Sequence, residues 1–240
     1  MPIVFELTGQ LAMFRKPYTT TSSISYPFPP PTAVAGIISA IVGIENGSEK
    51  DGYSAAFWWK LNDNRIAIRM LSNVKWYVTA LNLWNVKEPQ KNTHIQVKNQ
   101  FVKDPIYRIY VEGPLEDKLK EYLSNNNFVY TPYLGVAYAI AQIKYIGSFD
   151  NKKIEDENVF VQTIIPYDSN EIEVNMKESG GIHKEIVPFQ MSQERSLNKS
   201  INVIYQSKNS EHGICLKQFK NLEVSKIGDD TIAWFPRWQV

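Results

Sequence analysis

Cysteine is almost absent from this sequence: Cys215 is the only one in 240 residues. A single cysteine excludes an internal disulfide framework and is typical of a protein of the reducing cytosol. We interpret Cys215 as a small, buried apolar residue.

Long hydrophobic runs are also missing. The longest, residues 33–44, is well short of the roughly 20 residues that a membrane-spanning helix needs. The first residues, MPIVFELTGQL, alternate apolar and polar side chains, and they lack the basic segment and apolar run of a signal peptide. We therefore expect a cytoplasmic protein that makes no contact with a membrane.

Motifs of metal and nucleotide chemistry are lacking as well. His94, His183 and His212 lie far apart in the sequence, and one cysteine cannot complete a zinc site. The sequence has no glycine-rich phosphate loop and no nucleophile elbow. It predicts no metal site, no cofactor and no catalytic residue of these classes.

The net charge is only +1, which argues against a freestanding nucleic-acid binder. Residues 60–108 nevertheless carry nine basic side chains against three acidic ones, whereas the chain after residue 150 is mildly acidic. This uneven distribution favours a protein that meets RNA on one face and other proteins elsewhere. The alternative is an ordinary solvated hairpin.

The first third of the chain predicts a strand, a loop and a helix. Apolar residues at nearly every second position predict a strand over residues 3–14, followed by a polar loop at 15–23. Prolines at 27 and 29–31 then precede Thr32, a natural N-cap, so we predict a helix that starts there. Small residues fill this helix, which indicates close packing against a sheet or a neighbouring subunit.

The middle of the chain predicts two further strands, a second helix and a last strand. Residues 65–83 read as one extended segment, residues 84–99 as a long hairpin tip, and residues 106–111 as a strand. Gly113 and Pro114 open a helix with an apolar stripe, and residues 138–146 form a strand. The order β-α-β-β-α-β predicts an α+β fold, the ferredoxin-like arrangement that RNA-recognition domains also use.

From residue 158 onward the sequence shows only strand signals, at residues 159–165, 186–191, 201–205, 214–216 and 232–235. We therefore predict two regions: residues 1–150, with the α+β fold, and residues 151–240, a β-rich C-terminal appendage.

The stretch FELTGQLAMFRKPY, followed by SYPFPPPTAVAGIISAIVGI, resembles the CRISPR-associated Cas five family. KDPIYRIYVEG is similar to the third strand of that family, and TPYLGVAYAIAQI to the joint between its second helix and last strand. The resemblance covers residues 1 to about 150 and is closest to the type I-B branch.

The resemblance implies a subunit of a type I Cascade complex that binds the 5′ handle of the guide RNA (crRNA). Its fold would be a ferredoxin-like palm of the RAMP superfamily with a β-hairpin thumb inserted at about residues 75–105. The implied protein partners are the backbone subunit (Cas seven family) and the large subunit (Cas eight family), and the complex would bring it to target DNA.

We predict RNA contacts from the polar loop, from the joint after it and from the thumb, because single-stranded RNA is held by cations, polar groups and aromatic rings. In the loop and joint these residues are Arg15, Lys16, Tyr18, Thr19, Thr20, Ser22 and Tyr26. In the thumb they are Lys75, Lys91, Asn92, His94, Gln96, Lys98 and Gln100. Trp84 and Tyr77 are candidates either for base stacking or for packing of the hairpin. The aromatic RNP1 pattern is missing, which argues against stacking on an open sheet face.

Two other functions remain open. Processing variants of the same family cleave the guide precursor without a metal, and they resemble enzymes that use a tyrosine with an adjacent Lys-His pair. This sequence has no Lys-His dipeptide, and the reversed pair His183-Lys184 lies outside the well-matched region. We therefore expect no enzyme activity, with Tyr26 and His183 as the residues of the endoribonuclease alternative. The second alternative is a subunit that contacts only protein.

Overall fold

The computed structural model describes residues 1–19, 22–45, 55, 57–86, 90, 93–208 and 212–239. The helices are α1 (Pro31–Val42), α2 (Phe57–Lys60), α3 (Glu116–Ser124) and α4 (Met176–Ser179). The strands are β1 (Ile3–Thr8), β2 (Leu11–Ala12), β3 (Phe14–Arg15), β4 (Ser25–Tyr26), β5 (Arg65–Met70), β6 (Trp76–Trp84), β7 (His94–Lys103), β8 (Ile106–Glu112), β9 (Gln142–Ser148), β10 (Lys152–Ile154), β11 (Val159–Val161), β12 (Ile165–Pro166), β13 (Ile172–Val174), β14 (His183–Met191), β15 (Leu197–Tyr205), β16 (Ile214–Phe219), β17 (Val224–Ile227) and β18 (Asp230–Ala233). Among these residues no helix is both long and apolar enough to cross a membrane.

A four-stranded antiparallel sheet forms the centre of the first 150 residues, in the order β5–β8–β1–β9. The predicted strand 3–14 is wrong in one respect, because it ends at Thr8. The chain leaves the sheet at Gly9, and β2 then pairs with the base of β7 instead. Three short strands therefore replace one long one.

Helices α1 and α3 cover one face of this sheet, and their apolar side chains share a core with Phe5 and Ile109. Helix α1 begins at Pro31, so the prediction that Thr32 caps it was wrong. Proline is favoured at the first helical position because the N–H that it lacks would have no intrahelical partner there. Gly36 faces outward, and a Cβ added to it would meet nothing within 4 Å, so this glycine does not provide a close approach to the sheet.

The last strands of the chain cover the opposite face of the sheet. Tyr110 of β8 packs there with Ile232 and Trp234. Asp230 of β18 forms ion pairs with Arg69 and with Arg108, at 2.7 Å for Arg108. Both faces of the sheet are therefore covered within the chain.

The region after residue 150 consists almost entirely of short antiparallel strands. It has a small core of its own. It also joins the first core, because Val187 and Phe189 of β14 are buried among the residues of α1 and β1. Strands β10, β13 and β17 and the short helix α4 lie in stretches that gave no signal in the sequence. The single cysteine, Cys215, is buried in β16, as predicted.

Strands β6 and β7 form a β-hairpin between β5 and β8, with nine consecutive residue pairs from Trp76–Val102 to Trp84–His94. The predictions of one extended segment at 65–83 and a long tip at 84–99 were therefore wrong. The chain breaks after Met70, and residues 94–99 of the predicted tip belong to strand β7. Residues 94–98 of β7 alternate polar and apolar side chains, but the buried Asn99 stands at an apolar position and interrupts the pattern.

Candidate nucleic-acid interface

The hairpin presents two chemically different faces, because paired residues of an antiparallel ladder place their side chains on the same side. We call one side the polar face. It consists of the pairs Trp84–His94, Asn82–Gln96, Ala80–Lys98, Val78–Gln100 and Trp76–Val102. The other side, the apolar face, consists of the pairs Leu83–Ile95, Leu81–Val97, Thr79–Asn99 and Tyr77–Phe101. Four of the predicted thumb residues, His94, Gln96, Lys98 and Gln100, therefore share the polar face.

The outer end of the polar face is a pair of aromatic rings in contact, tilted relative to each other. The centroids of Trp84 and His94 are 4.5 Å apart with an angle of 34° between the planes. Trp84 is 71% exposed, so one side of its ring is open to a ligand. A flat aromatic surface of this kind is a stacking platform for a nucleic-acid base. Lys98, further along the same face, is exposed and forms no ion pair within the part of the chain that the structure describes.

The apolar face is anchored at its base. Phe101 is buried, and the rings of Tyr77 and Tyr138 each lie 6.4 Å from it. Tyr77 therefore packs within the hairpin on Phe101, and Phe101 contacts Tyr138 outside the hairpin. Trp84 is the better candidate for stacking. Lys75 precedes β6 and is exposed at this end. Lys91 and Asn92 lie outside the described residues.

The polar loop is described at residues 15–19, 22 and 23, which we call the basic loop. Its turn is closed by the Arg15 guanidinium, which donates to the carbonyl oxygen of Thr19 at 2.7 Å, and by the Thr19 hydroxyl, which donates to the carbonyl oxygen of Lys16 at 2.8 Å. Tyr18 is 65% exposed, and Ser22 is half-buried. Thr20 lies outside the described residues.

The basic loop and the hairpin meet at Ser23. Its N–H donates to the carbonyl oxygen of Lys98 at 2.9 Å, and its own carbonyl oxygen accepts the N–H of Gln100 at 2.8 Å. These two bonds place the end of the basic loop alongside β7, next to the polar face. The structure thus brings together the RNA-contact residues that the sequence predicted in the loop and those that it predicted in the thumb.

Lys16 and Tyr26 are engaged inside the protein. The Lys16 ammonium forms an ion pair with Glu185 of β14 and lies 5.1 Å from the centroid of the Tyr26 ring. Tyr26 is buried, and its hydroxyl donates to the carbonyl oxygen of Ile186 at 3.0 Å. Burial, and then the negative charge of Glu185, raise the pKa of Tyr26 to about 12. Lys16 and Tyr26, both predicted to contact RNA, therefore hold the base of the basic loop in place. The exposed groups of the loop are the ones accessible to a ligand.

Glu185 was not predicted as part of the site. It lies 169 positions from its partner Lys16 and has no local motif around it. Only the assignment of residues 183–191 to a strand next to the loop could have indicated it.

The two residues of the endoribonuclease alternative, Tyr26 and His183, make their hydrogen bonds to other groups. The ring of His183 stacks on Tyr205 with centroids 5.4 Å apart, and its Nε2 lies 3.0 Å from the Ser207 hydroxyl. The Tyr26 hydroxyl is bound to a main-chain carbonyl group of the same strand, β14. Over the described ranges no three His, Cys, Asp or Glu side chains come together as metal ligands.

Part of the basic middle segment is neutralised within the chain. Arg65 pairs with Glu223 at 2.7 Å, and Arg69 and Arg108 pair with Asp230. These arginines lie on the covered sheet face and are not exposed to a polyanion. Among the described residues, the exposed cations beside the candidate interface include Arg15, Lys75, Lys98 and Lys103.

A family model described as CRISPR-associated protein (Cas_Cas5) matches residues 2–170. No curated protein matches the sequence. A CRISPR protein from Archaeoglobus fulgidus has a similar structure, with a TM-score of 0.55, 13% identity and coverage of 97% of this chain and 98% of that chain.

Two further solved structures share the fold. One is a chain of the Type III-B Cmr-beta complex bound to cognate target RNA and AMPPnP, with a TM-score of 0.56, 12% identity and coverage of 89% and 86% of the two chains. The other is a chain of a CRISPR RNA-guided surveillance complex, with a TM-score of 0.50, 11% identity and coverage of 97% and 91%. At these identities the likeness shows the fold alone.

Proposed function

This chain belongs to the CRISPR-associated Cas5 family, and from that membership we propose that it is a non-catalytic subunit of a type I-B Cascade complex. In this proposal it binds and caps the 5′ handle of the crRNA in the cytoplasm and serves antiviral defence. The observation that carries the proposal is the junction at Ser23, where the basic loop and the polar face of the hairpin become one surface.

The strand order supports a ferredoxin-like palm. Counted along the chain, β1, β5, β8 and β9 are the first to fourth strands of the central sheet, and they lie in the order second, third, first, fourth. The long helix α1 and the short α2 follow the first strand, and α3 follows the third, which agrees with the β-α-β-β-α-β arrangement. In this proposal the β6–β7 hairpin is the thumb.

The chemistry of the surface suits a single strand of RNA. Trp84 offers a stacking platform, while Arg15 and Lys98 are exposed cations for phosphates. Tyr18, Thr19 and Ser22 supply hydroxyl groups on the basic loop. The covered sheet face favours binding by loop and hairpin over the mode in which bases stack on an open sheet.

A non-catalytic role is supported by the state of Tyr26. A phenol with a pKa of about 12 is almost entirely protonated at neutral pH, and its proton is already donated to the carbonyl oxygen of Ile186. It is therefore a poor general base for a 2′-hydroxyl group. The remaining partners in our proposal are the backbone subunit (Cas seven family), the large subunit (Cas eight family) and, through the complex, target DNA.

The proposal is tested by isolating the tagged protein with the products of its native operon and sequencing the RNA that copurifies. We expect short RNAs that share one 5′ end. Recovery of protein partners without such RNAs would overturn the proposal and favour the subunit that contacts only protein.

A second experiment tests the surface itself. Binding of the repeat-derived handle is measured against salt for the double variant Arg15→Gln/Lys98→Gln. If each cation meets one phosphate, the slope of log K against log salt becomes shallower by about 1.4, since single strands lose about 0.7 per contact. The control is Lys118→Gln/Lys120→Gln, which removes the same charge from the exposed side of α3. Equal changes in both variants would indicate a general charge effect and no site.

A further inference from the structure

Strand β6 forms the outer edge of the hairpin. In the three-stranded order β2–β7–β6, strand β7 is central, and within the described ranges no strand pairs with the other side of β6. The direction of its backbone groups follows from the two ends of the ladder. Lys103 N–H donates to the carbonyl oxygen of Lys75 at 2.8 Å, and Asn85 N–H donates to that of Thr93 at 3.1 Å.

Between these two ends the register is unbroken. The backbone N–H and C=O groups of the odd-numbered residues of β6 therefore bond to β7, and those of the even-numbered residues point away from β7. The hydrogen bonds of Ser23 support this assignment. Ser23 bonds to Lys98 and Gln100, so the even-numbered residues of β7 also direct their backbone groups away from β6. Five residues therefore direct both N–H and C=O outward at the free edge: Trp76, Val78, Ala80, Asn82 and Trp84.

This edge lacks the features that normally prevent edge-to-edge pairing. Natural edge strands are short or bulged, or they carry a charge or a proline. β6 is nine residues long, and its sequence, WYVTALNLW, contains no charge, no proline and no glycine. The edge strand β9 of the central sheet is different, since it carries an exposed Lys144 and a bulge opposite Val4 and Phe5.

The side chains beside the edge are apolar and exposed on both faces. Trp76, Tyr77, Val78 and Leu83 are each between 44% and 47% exposed. Recognition by strand addition has two components: unpaired main-chain donors and acceptors, and side chains next to them. In that mode the hydrogen bonds give affinity, and the alternate side chains give specificity.

We propose that the outer edge of β6 is a strand-addition site for an extended, uncharged segment of a neighbouring protein subunit. Nucleic acid fits the edge poorly, because phosphates cannot donate to its outward carbonyl groups and the strand offers no cation. The inference rests on the proposed function only in that the chain works beside other protein subunits. RNA is assigned to the polar face and the neighbouring subunit to the edge.

The test compares two substitutions at Ala80 in the complex made from the native operon. Ala80→Pro removes an outward N–H and leaves the bonds of β6 to β7 in place, since proline is tolerated at such edge positions. Ala80→Val introduces a side chain about as large as that of proline but keeps the backbone N–H. We expect at least a tenfold loss of one protein subunit from the complex with Ala80→Pro, measured by native mass spectrometry, and retention of that subunit with Ala80→Val.

A second measurement uses the unaltered protein. Amide hydrogen exchange at Val78, Ala80 and Asn82 should slow at least tenfold in the complex relative to the isolated chain. Unchanged exchange overturns the proposal, and so does an equal loss of the subunit in both Ala80 variants, which would indicate a side-chain contact alone.

Two other occupants have their own signatures. A wild-type dimer in sedimentation that becomes monomeric with Ala80→Pro would assign the edge to a second copy. Weaker binding of handle RNA by the isolated Ala80→Pro chain, with Ala80→Val unaffected, would assign it to nucleic acid. Either result overturns the proposal. Failure of the proposed function is distinguishable, because it appears as missing handle RNA and not as a missing subunit.

Discussion

The Arg108 guanidinium, in the middle of the central sheet, lies 2.7 Å from the Asp230 carboxylate near the end of the chain. The Tyr110 hydroxyl donates to the same carboxylate, and burial together with the charge of Asp230 raises the pKa of that tyrosine. This contact closes the sheet face that an RNA-recognition domain leaves open. It therefore directs the search for RNA contacts to the basic loop and the hairpin.

Replacing Asp230 with asparagine should strongly destabilise the protein. Arg69 and Arg108 would lose the charge that compensates their partial burial, and breaking a buried pair in this way costs about 3 kcal/mol. The measurement is the free energy of unfolding in urea. Asp229→Asn makes the same change at the neighbouring exposed position and should alter it by less than about 0.5 kcal/mol. Equal effects would contradict the importance of the ion pairs.

Glu185→Gln should weaken binding of the RNA handle, although it removes a negative charge beside the proposed site. The reason is that Glu185 holds Lys16 and with it the base of the basic loop. A purely electrostatic effect would have the opposite sign and strengthen binding. Filter binding at fixed salt decides between them, with the exposed Glu194→Gln as the control. Unchanged or tighter binding would show that the ion pair does not position the loop.

The same variant has a second readout in the titration of Tyr26. Glu185 is the second cause of its raised pKa, so Glu185→Gln should bring that pKa down from about 12 towards its ordinary value of 10. Phenolate absorbance at alkaline pH measures the shift, and Tyr26→Phe identifies the band. A titration curve that does not move would mean that the two groups are not coupled.

Trp84→Ala should lower the affinity for the handle by about 1–3 kcal/mol if one base stacks on this ring. Tyr77→Ala is the matched control, because Tyr77 belongs to the same strand but to the apolar face. We expect it to lower the stability of the hairpin through loss of its packing on Phe101, with a smaller effect on RNA affinity. Equal losses of affinity would show that the polar face is not the stacking side.

The sequence predicted the central elements well because they are patterned by burial. In β1, Ile3, Phe5 and Leu7 face the helices at period two, and the stripe of α3 buries Leu119 and Leu123 as expected. The two strands of the hairpin could not be predicted from a burial pattern. Both faces of the hairpin are partly exposed, β6 lacks a regular alternation of polar and apolar residues, and the buried Asn99 interrupts the alternation of β7.

Long-range pairing was the second limit. The ion pairs of Lys16 with Glu185 and of Arg108 with Asp230 join residues more than 100 positions apart. Nothing local distinguishes these acids from the exposed ones around them. The sequence therefore predicted a basic segment but not that its arginines would be neutralised by the last strands.

Two glycines give opposite predictions for the same substitution. Gly36 lies in α1 with open space around it, so Gly36→Ala should stabilise the isolated chain by about 0.4–1 kcal/mol through helix propensity. At Gly135 the backbone has φ +87°, and a Cβ would lie 2.1 Å from the carbonyl oxygen of Met13, so Gly135→Ala should destabilise it. Thermal unfolding of the two variants tests both signs. If Gly36→Ala stabilises the isolated chain yet impairs assembly, the open face of α1 is a contact surface for a neighbouring subunit, as the small residues of this helix first indicated.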